Sequence, residues 1–205
     1  MPEHAKSHYL DGGLSEPVFQ AQSTFRAVMK AMAEPGLIVN CEPATIPPKP
    51  LQPLAATVCC TLCDADTSIY LDEQMRGTAG VETWLSFHTG ARIQATATTA
   101  DFALISDVSH LPTLESFAHG TQDYPDRSTT LIVQIAALSG DDPVTLTGPG
   151  IKKDRVFAPK GLPSHFISSW ADNHALFPRG VDIIFTSRTA LACLPRSTRI
   201  KTGER

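Results

Sequence analysis

Apolar positions along this chain fall into short runs of two different periods, with polar or proline-rich stretches between them. Val18, Phe25, Val28, Met29 and Met32 recur at helical spacing. Ser15 is a residue type that caps helices and Pro17 one that suits a first turn, while Pro35-Gly36 ends the run after Glu34. Leu37-Ile38-Val39 then reads as a short buried strand. Residues 43–53 hold Pro43, Pro47, Pro48, Pro50 and Pro53, a density that no helix or central strand tolerates. The segment is therefore an extended connector, with a polyproline ligand as the other use of such a stretch. Pro53 opens a second helix carrying Leu54, Val58 and Leu62.

Further along, Thr67 to Leu71 is strand-like, and residues 79–89 form a helix with Val81, Trp84, Leu85 and His88 on one face and Gly90 past its end. Thr96 to Thr99 is β-prone, and Phe102 to Ile105 is a strand. Pro112 starts a short helix with Leu114, Phe117 and Ala118 that Gly120 stops. The strongest strand signal is Thr129 to Leu138, where Leu131, Val133 and Ile135 alternate with polar or smaller residues. Val144 to Thr147 ends at Gly148-Pro149-Gly150, and Pro163 begins a last helix with Phe166, Ile167 and Trp170. Val181 to Thr186 and Ala190 to Leu194 flank a Ser-Arg-Thr turn and form a hairpin, after which the chain is polar and basic from Ser197 on. Interleaved helices and strands predict a three-layer α/β/α sandwich, and the hairpin makes its sheet mixed. One domain over 15–200 is expected, with a loosely held segment at 1–14 and a tail at 201–205.

Composition narrows this further. Of 205 residues 42% are hydrophobic and 19% charged, enough for a real core and against global disorder. The net charge of −4 comes with no basic stripe, so nucleic acid is not an expected partner. The opening Met-Pro-Glu-His-Ala-Lys-Ser-His has no apolar stretch of a signal peptide, and no apolar run approaches the roughly 20 residues of a membrane helix. A cytoplasmic protein without membrane contact is the expectation. The five cysteines, Cys41, Cys59, Cys60, Cys63 and Cys193, are odd in number and carry no disulfide framework. Cys60 and Cys63 form a Cys-x-x-Cys pair that lacks two further ligands, so burial in the core is expected and no metal centre.

Four loops carry the candidate chemistry. His119 to Thr130 is a polar loop entering a core strand, where Arg127 beside Ser128, Thr129 and Thr130 offers hydroxyls and paired N–H donors to a phosphate or phosphonate. An ordinary turn, with Asp126 and Ser128 bonded to nearby backbone, is the competing account. Gly148 and Gly150 let backbone approach an anion, although the spacing is not that of a P-loop and Pro149 removes a donor. Arg179 in Phe177-Pro178-Arg179-Gly180 and Arg196 in Leu194-Pro195-Arg196 sit beside prolines at strand edges. Arg196 and Arg199 with Ser197 and Thr198 suit an oxyanion, and equally a carboxylate of a partner subunit. Asp64 and Asp66 could hold magnesium or simply turn the chain. Seven histidines fall into no zinc pattern, and no self-sufficient set of nucleophile, base and oxyanion donors is present.

Taken in order, Phe25 through Met32 to Glu34-Pro35-Gly36, Gly120-Thr121, Tyr124-Pro125, Ser128-Thr129-Thr130, Leu146-x-Gly148-Pro149-Gly150-Ile151, Leu176 to Asp182 and Leu194-Pro195-Arg196 resemble the PhnH family. This family is the H subunit of the bacterial carbon–phosphorus lyase machinery. The resemblance spans roughly residues 12–200. It implies a homodimer with a fold like the large domain of pyridoxal-phosphate-dependent transferases, without that cofactor. It also implies a core complex with G, I and J subunits, which transfers a ribose triphosphate group from ATP to methylphosphonate and releases adenine. Within that complex three roles stay open. A structural and docking subunit, not active alone, is preferred. The second role binds ATP or phosphonate directly through the loop residues above, and the third is an independent transferase.

Overall fold

In a computed structural model of the chain, which describes residues 10–78 and 80–201, Pro17 lies in the first turn of helix α1 (Pro17–Ala33). The N-cap is Glu16 rather than the expected Ser15, and the Glu16 side chain makes no capping bond. Instead Gln20 folds back. Its Oε1 accepts the Glu16 N–H at 2.9 Å and its Nε2 donates to Ser15 Oγ at 3.1 Å. Of the loosely held segment expected at 1–14, residues 1–9 lie outside the described residues, while residues 11 and 12 are tied down. Trp84 Nε1 donates to Asp11 O, and Ile46 N to Gly12 O.

The strand expected at Leu37 to Val39 shrinks to β1 (Val39–Asn40), with Ile38 exposed. It is an edge strand, so its outer side has nothing to bury against. The proline-rich connector has no regular structure and leads into α2 (Pro53–Leu62), in which residues 54–59 are all buried. A helix that is apolar all round belongs in the middle of a layer. Gln134 fastens the connector to the sheet: its Nε2 donates to Pro50 O and Ser106 O, and its Oε1 accepts from Gln52 N at 2.6 Å. That bonding also satisfies a polar side chain buried within a strand.

There follow β2 (Ser68–Leu71), the single-turn α3 (Glu73–Arg76), α4 (Val81–Thr89), β3 (Arg92–Gln94) and β4 (Phe102–Ile105). Gly90 stops α4 in the left-handed region at φ 74°, as its place just past the last turn predicts. Within the β-prone Thr96 to Thr99, Ala97–Thr99 form a 3-10 turn, with the Thr96 and Thr99 hydroxyls bonded to each other at 3.0 Å. The helix expected after Pro112 is likewise one 3-10 turn, Leu114–Ser116. After these come β5 (Thr130–Gln134), β6 (Val144–Thr147), β7 (Arg155–Phe157), α5 (Phe166–Ala175), β8 (Asp182–Thr186), β9 (Ala190–Leu194) and β10 (Arg199–Lys201).

Seven strands form one mixed sheet in the order β1-β9-β8-β5-β4-β2-β3. β8, β5, β4, β2 and β3 run parallel, and β9 is antiparallel to both β8 and β1. Period-2 alternation sorts its side chains. Leu104, Ile132 and Ile184 face a core built with α1, α2 and α4. Ile105, Leu131, Val133, Ile183 and Phe185 face a second core with Phe166 and Trp170 of α5. Each such side chain contributes about 1.5–3 kcal/mol on burial. The second core also holds Leu146 and Phe157 from a small sheet of order β10-β6-β7. The expected layered α/β architecture is therefore present, with this small sheet added to one outer layer.

Cys41, Cys59, Cys63 and Cys193 are buried and Cys60 half-buried, as their apolar setting predicts. Burial pushes the Cys60 thiol up to about 12 from an ordinary 9.0 and raises Cys193 strongly. In the folded chain these thiols keep their protons, whereas the unfolded chain loses them above pH 9. The stabilisation is complete below pH 9 and is lost as pH rises toward the native values, by up to about 1.4 kcal/mol per pH unit for Cys60. Urea midpoints should fall between pH 9 and 11, and Cys60→Ala should make that fall shallower. A midpoint flat across this range would contradict the burial account.

Candidate functional site

Three of the four loops singled out above meet at one side chain. Hairpin register pairs Ile183 with Leu194, which sets Asp182 beside the chain where it reaches Arg196. Arg196 Nε donates to both Asp182 oxygens at 3.2 Å, and Nη2 donates to Oδ2. Nη2 also donates to Ser128 Oγ at 2.6 Å, and Nη1 to Pro125 O at 2.7 Å and Pro178 O at 3.4 Å. The Arg196 N–H donates to Asp182 Oδ1 as well. All five guanidinium N–H groups therefore have acceptors within the chain. The two side chains are 15% and 19% exposed, so the pair is only weakly screened. Ser128 is buried. Thr129 is fully buried, its Oγ1 donating to Ala100 O and accepting from Ala118 N. Thr130 is half-buried at the start of β5.

Other residues of the predicted set lie apart from this junction. Arg127 is exposed, its guanidinium 4.2 Å from the centre of the Tyr124 ring. Arg179 is half-buried, and only its backbone N–H, donating to Leu176 O, is bonded among the described residues. Gly148 and Gly150 are contact points. A Cβ on Gly150 would stand 2.0 Å from Ala33 O, and one on Gly148 would stand 2.9 Å from Ser197 O. Arg155 reinforces the same seam by donating to Glu34 O and Pro35 O at the end of α1, where a cation is favoured. Glu34-Pro35-Gly36 and Gly148-Pro149-Gly150 thus pack on each other. Asp64 and Asp66 form a turn, in which Asp66 N donates to Asp64 Oδ1 at 3.0 Å. Lys152, Lys153 and Lys160 are exposed.

Of several concavities among the described residues, two bear on ligand binding. One, of about 550 Å³, lies past the carboxyl ends of β2 and β4 and is lined by Tyr70, Asp72, Glu73, Gln74, Ser106, His110 and Pro112. The strand order turns back between β2 and β4, the place where open α/β sheets bind ligands. Asp72 is already engaged there by Met75 N, Ser106 N and Ser106 Oγ. The other, of about 380 Å³, is lined by Thr147, Gly148, Pro149, His174, Phe177, Ser197 and Arg199, which draw on three of the four loops. Among the described residues no three His, Cys, Asp or Glu side chains gather as metal ligands, and no helix is long and apolar enough to cross a membrane.

Sequence reasoning treated Arg196 as an anion ligand and missed Asp182 as its partner. The signal was present, since a hairpin over 181–194 puts position 182 next to the residues following Leu194. No comparable signal tied His174 to Arg199, 25 positions apart.

Fold and site together define an α/β protein whose marked loops lock one another in place. Its sequence matches the family described as Bacterial phosphonate metabolism protein (PhnH) over residues 12–201, and the chain belongs to that family. It is 44% identical over 197 residues to "Alpha-D-ribose 1-methylphosphonate 5-triphosphate synthase subunit PhnH" of Rhizobium meliloti (strain 1021), covering 96% of this chain and 98% of that one. A shorter match, 31% identical over 81 residues, covers 40% of this chain and 42% of "Putative C-P lyase subunit protein HtxG" of Stutzerimonas stutzeri.

Proposed function

We propose that this chain is the H-type subunit of a ribose 1-methylphosphonate 5-triphosphate synthase and works there as a structural and docking subunit, a homodimer seated among G, I and J subunits in the cytoplasm. Similarity along nearly the full length to a subunit of that name supports the assignment to the synthase. The docking role rests on one observation, the outer face of α1. Val18, Phe19, Phe25 and Met29 are 78%, 72%, 49% and 51% exposed, while the helix buries only Thr24, Val28 and Ala31. Exposed apolar side chains gathered on one helix face mark an interface. Positions 18, 22, 25 and 29, of which the second is the polar Gln22, step by 4, 3 and 4, the spacing of a seam between two helices. That series reads the same in both directions, which suits pairing with an antiparallel copy of itself across a two-fold axis.

Consumption of the Arg196 donors within the fold supports the same reading, because the loop hydroxyls and arginine then build a rigid surface. The test is reconstitution. The purified chain should run as a dimer, and on mixing with G, I and J subunits it should enter one assembly that converts ATP and methylphosphonate. A monomer that leaves synthase activity unchanged when omitted would overturn the proposal.

A further inference from the structure

The groove beside the α5 C-terminus holds a guanidinium prepared for a ligand. His174 Nδ1 lies 2.9 Å from Arg196 O, a carbonyl that can only accept, so Nδ1 carries the hydrogen and Nε2 the lone pair. Arg199 Nε donates to that lone pair at 2.9 Å. This bond fixes the plane of the guanidinium and leaves its four terminal N–H groups without an acceptor among the described residues. The next residue on the same side of β10, Lys201, is by contrast paired with Asp154 at 2.7 Å. Among the described residues no carboxylate lines the groove. Its other polar groups are the Thr147 and Ser197 side chains, and its apolar wall is Phe177, 59% exposed. Between Ser197 and Arg199, Thr198 is fully buried with its Oγ1 unpartnered among the described residues, a costly state for a hydroxyl.

We propose that this groove binds a phosphate or phosphonate ester, with the anion on Arg199 and the Ser197 and Thr147 hydroxyls and the organic part against Phe177. A guanidinium held by a third group loses less freedom when it takes a bidentate oxyanion than one that is free to swing. The volume falls within the range of small-ligand sites. Arg127 and Arg179 lack these features, since neither is held by a hydrogen bond within a lined groove.

The site lies apart from the α1 face, so its test uses the full chain alone and does not depend on assembly. Calorimetric titration with AMP, adenosine and inorganic phosphate separates the parts. AMP should bind saturably, with adenosine and inorganic phosphate each roughly tenfold weaker or more. Arg199→Gln should lose roughly tenfold or more for AMP, and Phe177→Ala should bring AMP down toward inorganic phosphate. Arg188→Gln, an exposed arginine on the β8–β9 turn, should bind AMP like the native chain. Thermal melts of the variants should match the native chain, because all three altered side chains are exposed. No saturation with AMP, or unchanged affinity in Arg199→Gln, would overturn the proposal. Inorganic phosphate binding as tightly as AMP would overturn the role given to Phe177.

Discussion

Arg196→Ala should lower the stability of the chain by about 2–4 kcal/mol. The change leaves Asp182 with a half-buried, uncompensated charge, and it removes the donor to Ser128 Oγ, Pro125 O and Pro178 O at once. Removing one member of a buried ion pair costs about 3–5 kcal/mol, and the exposure of this pair brings the figure down. For a chain of this size that corresponds to a drop in melting temperature of about 5–15 °C. Arg196→Lys should recover little, because one ammonium cannot span acceptors from three segments as a planar fork does. Double substitution of Arg196 and Asp182 by Met and Leu should cost less than Arg196→Ala alone, since no charge is then stranded. Calorimetric melts of the four proteins decide this. A stable Arg196→Ala chain would return Arg196 to the list of free anion ligands.

Phe25→Asp combined with Met29→Asp should abolish self-association while leaving the fold intact. Both side chains are about half exposed on α1, so the monomer gives up little contact. In a two-fold interface each substitution acts twice, and four carboxylates would then have to leave water. The expected loss in dimer affinity is at least about 100-fold, or roughly 3 kcal/mol. Sedimentation equilibrium with a parallel melt reads both quantities. An unchanged dimer would move the interface away from α1, and a lowered melt would show that these residues serve the core instead.

How far the sequence carries depends on what each element packs against. The parallel strands could be read from Leu131, Val133 and Ile135, and from Phe102 to Ile105, because both faces of those strands are buried and their apolar character is strong. β3, β7 and β10 could not, since Arg92, Val156 and Lys201 are exposed and short edge strands depend on backbone pairing, which leaves no apolar period. The basic stretch after Ser197 has the composition of a tail, yet Ile200 pairs with Leu146. On α1, spacing revealed the helix but not which side faces inward, because the buried stripe uses small residues, Thr24 and Ala31, and the large ones point out. At the site, the arginine, serines and threonines were visible as residue types. Their bonds join positions 125, 128, 178, 182 and 196, and apart from the hairpin pair no local pattern announces them.

The pairing of β1 with β9 also sets a clock on synthesis. Val39 leaves the ribosome about 150 residues before its partner Leu191, which at ordinary translation rates is a wait of about 8–30 s. Throughout that interval the apolar outer stripe of α1 is accessible, and its inner face has no strand to cover it. The nascent chain therefore presents two adhesive surfaces before it can bury one. Its yield on overexpression should depend on holdase chaperones more than its final stability suggests, and slower growth temperatures should not help unless the chaperone supply keeps pace.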